Sequence, residues 1–507
     1  MASVIRRRYL GGGAAVLGGL LAAACGEVEV RYVQGPAGPA GPAGAQGERG
    51  ATGAAGAKGA AGAAGQSQIF VQEKVVTVEK VVEVEARAKP RQKVVLWSAF
   101  WRGQRMVGEN SERSTGWVSL ANQWNAMDTD VTLALEPRGG GTGATIIAAY
   151  AAGSQPDLMH TAYWSMNGYG LAGMAVELQE AFIKQDREYA ATMDDFYPHL
   201  LESSMWQGKV WSLPQETNGD LPYTNLAMVR EAGLEPLQLG YTWDDLVEYC
   251  KKLQFSVGPG KESGIWAIDG LSGTASQFFN LLKQAGGEAY NQEQNKILFD
   301  SPEGIEAVQY VSDLVHKHQV HVPDRDFFET AGTQYPRFRN GKLAMHYETS
   351  AYRLVLWARS IGGLENMYVS PSPTKKKPFI ATFGQNMVMF NTDSTRQEAA
   401  WQAMRWLTST EPAAHYAAVT MFLPPRKSVV QTAEYSQVLK DVPQFQKFVE
   451  ALDYAFRPAH PEFPKHYGRI SELMSAVRKQ PIGVKDAVEQ AAREINAMLE
   501  QFNQKYG

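Results

Sequence analysis

From Lys93 to Gly507 the sequence predicts an α/β fold, a mostly parallel sheet covered by helices, on three observations. Short apolar runs with strand character occur at Val94-Val95-Leu96-Trp97 and Val131-Thr132-Leu133-Ala134-Leu135. Between them, Val118 to Trp124 has the spacing of an amphipathic helix. A second helical stretch, Ala144 to Ala152, leads into a third apolar run at Asp157-Leu158-Met159. Sheets of this order bind ligands outside the carboxyl ends of their strands, where helices also begin. A site is therefore expected at the strand ends.

The 507 residues exceed the usual size of one domain. With 49 basic and 53 acidic side chains the net charge is -4, so no basic excess points to nucleic acid. The two cysteines, Cys25 and Cys250, make no disulfide framework. Cys250, in Tyr249-Cys250-Lys251, reads as a small residue of a helix or core. Residues 1–24 read as a signal peptide: Arg6, Arg7 and Arg8 precede an uncharged stretch, Tyr9 to Ala24, shorter than the ~20 residues a spanning helix needs. It ends in Leu21-Ala22-Ala23-Ala24-Cys25-Gly26, which resembles a lipobox with Cys25 as the lipid attachment site. Arg6-Arg7-Arg8-Tyr9-Leu10 resembles a twin-arginine signal lacking the usual preceding Ser, so the Sec and twin-arginine routes both stand. An uncleaved anchor is the alternative; either way the rest of the chain lies outside the cytoplasm.

A short tether, 25–34, precedes a collagen-like segment, 35–67, with glycine at every third position from Gly35 to Gly65. Only glycine fits the axis of a triple helix, so a stalk that forms a homotrimer is one reading and a flexible spacer the other. Residues 68–92 form a Val/Glu/Lys-rich linker or a short coiled coil, with Val71, Val75, Val78 and Val82 at heptad spacing.

No zinc-protease, nucleophile-elbow or phosphate-loop motif is present. Gly139-Gly140-Gly141-Thr142-Gly143 follows a strand and opens a helix, which fits a loose dinucleotide loop or, better, a helix N-terminus facing a polar ligand. Aromatic residues recur where strands should end: Phe100 and Trp101, Tyr163 and Trp164, Trp266, Tyr347 beside Glu348, and Phe383 before Gly384-Gln385-Asn386. Aromatic faces stack on the C–H faces of sugar rings, while Glu, Asn and Thr take the hydroxyls. Glu216, Asp220 and Glu348 invite a glycosidase reading, yet Glu216 and Asp220 sit in a polar turn where acids are commonplace. Asp244 and Asp245 read as first-turn acids behind the cap Thr242. The nine histidines form no ligand cluster, so neither metal nor cofactor is expected.

Several motifs in order resemble the extracellular solute-binding proteins of ABC importers, in the family that includes the maltose binders. They are Gly153-Ser154-Gln155-Pro156-Asp157-Leu158, Gln207-Gly208-Lys209-Val210-Trp211-Ser212-Leu213-Pro214, Asn225, Glu231-Ala232-Gly233-Leu234, Thr242-Trp243-Asp244-Asp245-Leu246, Phe338 to Met345, and Ala399 to Leu407 with Glu411 and Pro424-Pro425-Arg426. The resemblance implies a two-lobed periplasmic-binding-protein type II fold, with a hinge and an interlobe cleft. Lobe 1 would take 93–213 and 347–391; lobe 2 would take 214–346 and 392–507. It places Phe100, Trp101, Thr161, Tyr163, Trp164, Glu348 and Thr349 at the ligand, beside Trp266, Tyr347, Phe383 and Asn386 from the strand-end pattern and Glu216 from the polar turn. Where the family often has Tyr before the Asn of its crossing strand, this chain has Thr224, with Tyr223 one earlier. The implied function is non-catalytic: a lipid-anchored, extracytoplasmic receptor that hands a carbohydrate to the membrane subunits of an ABC permease. A carbohydrate-active enzyme and a collagen-stalked adhesive lipoprotein are the alternatives.

Overall fold

In β1 (Gln92–Ser98) Val94 and Leu96 are fully buried, and Trp97 nearly so. The helix Ser111–Ala126 that follows buries Trp117, Leu120, Ala121 and Trp124, a spacing of 3, 4 and 7 that puts one apolar stripe on the sheet. β2 (Val131–Pro137) then pairs parallel to one edge of β1, and β3 (Leu158–Ala162), after the helix Gly143–Ala151, pairs parallel to the other. The alternation expected from sequence is thus present. This computed structural model describes residues 91–98, 111–137, 143–271, 275–323, 336–348 and 351–506, all in the unit Ala88–Gly507. The expected signal peptide, Cys25, tether, collagen-like segment and the linker as far as residue 90 lie outside the described residues, as does most of the Gly139–Gly143 loop; Gln92, expected in the linker, opens β1.

The first sheet is completed by two strands from later in the chain. β13 (Gln385–Met389) runs antiparallel to β3, and β6 (Leu213–Pro214) antiparallel to β13, giving the order β2-β1-β3-β13-β6. The second sheet has the order β11-β8-β10-β9, from β8 (Leu221–Asn225), β9 (Trp266–Asp269), β10 (Leu343–Glu348) and β11 (Met367–Val369). A third, small sheet, β14-β12-β7, joins Asn218–Gly219 (β7), Ile380–Phe383 (β12) and Ala455–Phe456 (β14). A hairpin of β4 (Met205–Trp206) and β5 (Lys209–Val210) stands apart.

Caps are set by local chemistry. Thr242 accepts the Asp245 N–H at 3.1 Å while Asp245 accepts the Thr242 N–H at 2.8 Å, a capping box that starts Trp243–Val257. Cys250 is buried inside that helix. Asn225 caps Leu226–Glu231 through its side chain.

Two stretches pack elsewhere than in the partition expected from sequence. The helix Leu354–Ser360 and β11, within 347–391, share the second sheet's core with Leu221, Tyr223 and Leu343. The helix Ser394–Leu407, expected with lobe 2, covers the first sheet, its Ala399, Ala400, Ala403 and Met404 packing with Val94, Leu96 and Leu133, while Thr410–Thr420 sends Tyr416 to that core and Ala413, Ala414 and Ala417 to the second sheet's. The physical reason is that β11 finds its partner by antiparallel pairing with β8, a contact across some 140 residues that leaves no local sequence mark.

A single residue, Gly384, separates β12 from β13. A Cβ there would lie 2.2 Å from the Glu216 carbonyl oxygen and 2.9 Å from both the Thr217 Cα and an Arg457 guanidinium nitrogen, and the 216–217 backbone cannot easily yield. Gly384→Ala should therefore lower unfolding free energy by about 3 kcal/mol or more. Urea unfolding of the variant measures this, and an unchanged midpoint would refute the close approach.

Candidate functional site

β3 ends at Ala162, and the chain turns at once into a short helical turn carrying Tyr163 and Trp164. Their rings meet edge to face at 5.2 Å. Phe383, at the end of β12, lies 6.3 Å from Tyr163 and 6.4 Å from Trp164. The fourth and fifth rings come from the helix Phe463–Lys479. Phe463 lies 6.3 Å from Tyr163 and 6.5 Å from Trp164, and Tyr467, one turn on, lies 6.2 Å from Phe383. Because Tyr163 and Trp164 leave the first sheet while Phe463 stands in the core beside the second, the cluster bridges the two. Tyr163 is fully buried, and Trp164, Phe383 and Tyr467 are half-buried.

Beneath the rings lies a polar floor. The Arg457 guanidinium, 3% exposed, sits 4.7 Å under the Tyr163 ring. It donates to Thr217 Oγ1 at 2.7 Å, to Asn386 Oδ1 at 3.3 Å and to the Glu216 carbonyl at 3.5 Å. Its Nε and the Tyr163 hydroxyl have no hydrogen-bond partner among the described residues. Burial pulls Arg457 down to about 10, against the opposing pull of Tyr163 and Glu216. Nearby His199 is pushed down to about 3, by burial first and then by the Arg457 charge. Asn386 stands opposite Thr161 in the β13–β3 ladder and donates to Ser204 Oγ at 2.8 Å and Ser212 Oγ at 3.0 Å.

The structure thus brings together Tyr163, Trp164 and Phe383 in the rings, with Asn386 and Thr161 in the strands below. Glu216 is fully buried and shares only its carbonyl with Arg457; its carboxylate accepts from the Tyr416 hydroxyl at 3.0 Å and lies 3.8 Å from His160, on the first-sheet side. Asp220, four residues on, turns the other way and accepts from Gln277 at 2.9 Å and Asn280 at 3.3 Å. The two acids are held by opposite cores and do not form an acid–base pair. Trp266 lies in the second sheet's core against the Gly260 turn, and Tyr347 is buried in the adjoining core that also holds Phe463. Glu348 closes β10 in register with Leu221. Phe100, Trp101 and Thr349 lie outside the described residues. Among the described residues no group of three or more His, Cys, Asp or Glu side chains is arranged to hold a metal. A groove of about 440 Å³ bordered by Trp124, Gln402, Arg405 and Trp406 lies away from the rings. Its buried cation, Arg426, is committed to Thr192 O, Tyr189 Oη and the Phe196 ring, so the ring cluster is the better site.

Sequence reasoning missed Phe463, Tyr467 and Arg457. The available signal was the aromatic spacing of four at the start of a helix that begins six residues after Arg457.

A family model for bacterial extracellular solute-binding proteins matches residues 108–414, more than half of the chain. The chain belongs to this family. The maltotriose-binding protein of Pyrococcus abyssi is 21% identical over 401 residues, covering 77% of this chain and 78% of that one. The sn-glycerol-3-phosphate-binding periplasmic protein UgpB of Pectobacterium atrosepticum is 24% identical over 435 residues, covering 80% and 91%. Among solved structures, the sugar-binding protein MalE of Xanthomonas citri matches with a TM-score of 0.70 at 16% identity, over 82% of this chain and 99% of that one. The family consists of solute-binding proteins, not enzymes, which agrees with the non-catalytic function expected from sequence.

Both Arg457→Ala and Arg457→Met leave the Thr217, Asn386 and Glu216 oxygens without this donor; Ala adds a cavity, for a loss of about 3 kcal/mol, whereas Met fills the space with no charge to desolvate and should cost about 1 kcal/mol. Chemical unfolding of both variants checks this; since both lose the guanidinium contacts, an Arg457→Met cost near zero would mean those contacts are not what holds residues 216–217 to β13.

Proposed function

We propose that this protein captures a small carbohydrate at the ring cluster and delivers it to the membrane subunits of an ABC permease. In this reading two lobes, each built on one of the larger sheets, close on the ligand, and Cys25 anchors the chain by lipid to the outer face of the membrane. The observation that carries the proposal is the five-ring cluster of Tyr163, Trp164, Phe383, Phe463 and Tyr467, drawn from elements of both sheets. Rings on two sides suit the two faces of a pyranose, and a ligand touching both sides stabilises the closed arrangement. The relative that binds maltotriose supports a saccharide.

A phosphate ester of a polyol is the second reading. It is favoured by the buried Arg457 cation under Tyr163, whose Nε lacks an acceptor, and by the relative that binds sn-glycerol-3-phosphate.

Thermal unfolding against mono- and oligosaccharides, with sn-glycerol-3-phosphate in the same panel, separates the readings. A ligand at a hundredfold excess over its dissociation constant adds about 2.7 kcal/mol to stability. Stabilisation by one sugar class without product by mass spectrometry is the expected result. Stabilisation by the phosphate ester alone would replace the first reading with the second, and turnover would overturn both. Trp164→Ala and Phe463→Ala should each weaken saccharide binding about tenfold, near 1.4 kcal/mol, by calorimetry.

A further inference from the structure

The helix Phe463–Lys479 carries two rings of the cluster, and its start is held by a side chain outside it. Glu462 precedes the helix and makes no side-chain cap of its own. Instead, Nδ1 of His460 accepts the Glu462 N–H at 3.0 Å, and the His460 carbonyl accepts the Phe463 N–H at 2.9 Å. His460 is 1% exposed. An Nδ1 that accepts an N–H has its lone pair engaged, so the neutral ring carries its hydrogen on Nε2. A second proton has only Nδ1 to go to. There it turns the acceptor into a donor aimed at another donor, and the bond holding the first turn is lost.

The surroundings also oppose a positive charge on this ring. It lies at the positive end of the helix dipole. His466 on the same helix is 4.9 Å away between ring centres, and Tyr290 stacks on His460 at 5.7 Å while bonding His466 Nδ1 through its hydroxyl at 2.8 Å. The faces from β4 and from the helix Val484–Tyr506 are the uncharged rings of Trp206 at 5.1 Å and Phe502 at 4.9 Å. Of the nearby charges, Glu462 is paired with Lys465 at 2.7 Å, Lys505 feels Glu462, and Arg457 is turned under Tyr163. Burial, and then His466, push His460 down to about 3; burial, and then Lys465, push His466 down to about 4.

We propose that His460 is a positioning residue of the ring site: proton uptake at its Nδ1 frees the first turn of the Phe463 helix, so Phe463 and Tyr467 withdraw and the site loosens in acid. The inference rests on the ring cluster being the ligand site. Its direction follows from linkage. Once the turn opens, His460 regains its ordinary value near 6.5, so the closed turn is fully favoured above that pH and loses ground as pH falls below it.

Hydrogen exchange of the full chain at pH 7.0 and 5.0, corrected for intrinsic rates, reads this opening directly. The opening constant of the amides of residues 462–470 should rise about 25-fold or more in the wild type. Amides of β3 should change less, which separates local opening from global unfolding. His460→Asn keeps an acceptor near the Nδ1 position and removes the titration, so it should flatten the rise by about that factor. A wild-type rise retained in His460→Asn, or no rise in the wild type, would overturn the proposal. Exchange is read without ligand, so failure of every sugar to bind would count against the ligand reading and not against this one.

Discussion

A buried guanidinium at the place where the chain crosses between the two larger sheets is the constraint on which the site depends. Taking a charge out of water costs several kcal/mol, and that cost is offset only when its hydrogen bonds are well placed. Arg457 meets the condition by gathering three separate segments: Thr217 and the Glu216 carbonyl on the crossing, Asn386 on β13, and the face of Tyr163 at the end of β3. Strand, crossing and turn are therefore held in one geometry around a group that none of them carries. Gly384 lets β12 and β13 pass against the crossing at backbone distance, which brings Phe383 and Asn386 to the same place.

Of the five rings above this floor, Trp164, Phe383 and Tyr467 keep partial exposure, while Tyr163 and Phe463 are buried against them. Aromatic side chains offer large contact area with little rotameric freedom to lose, and neutral ligands with C–H faces gain most from them. The acids nearby are spent on the fold: Glu216 is held by Tyr416 and lies near His160, and Asp220 is held by Gln277 and Asn280. A hydrolase would need two carboxyl groups facing one bond, and these two face opposite cores. The chemistry of the site thus agrees with membership of a solute-binding family.

Three strands of the first sheet, β1, β2 and β3, were legible in the sequence because strand and helix alternate locally there, while β13 and β6, which join it antiparallel from far along the chain, were not. The capping box at Thr242 and Asp245 was legible because it too is local. Tyr163, Trp164 and Phe383, which the proposal places at the ligand, can be singled out in the sequence because they follow strands. The same rule also selected Trp266 and Tyr347, which pack in core, since a strand-end aromatic can face either way. Phe463 and Tyr467 escaped because rings spaced by four on a helix read as a core stripe, and Arg457 because its partners lie 71 and 240 residues away. The helix Ser394–Leu407 is expected with the other sheet because the long-range packing that decides its place has no local signature.

The central claim is that ligand meets rings from both sheets at once. The structure of the protein crystallised with a saccharide that stabilises it is the direct test. The account predicts ligand in van der Waals contact with Trp164 on one side and with Phe463 or Tyr467 on the other. Ligand bound away from these rings, or touching one side only, would contradict it.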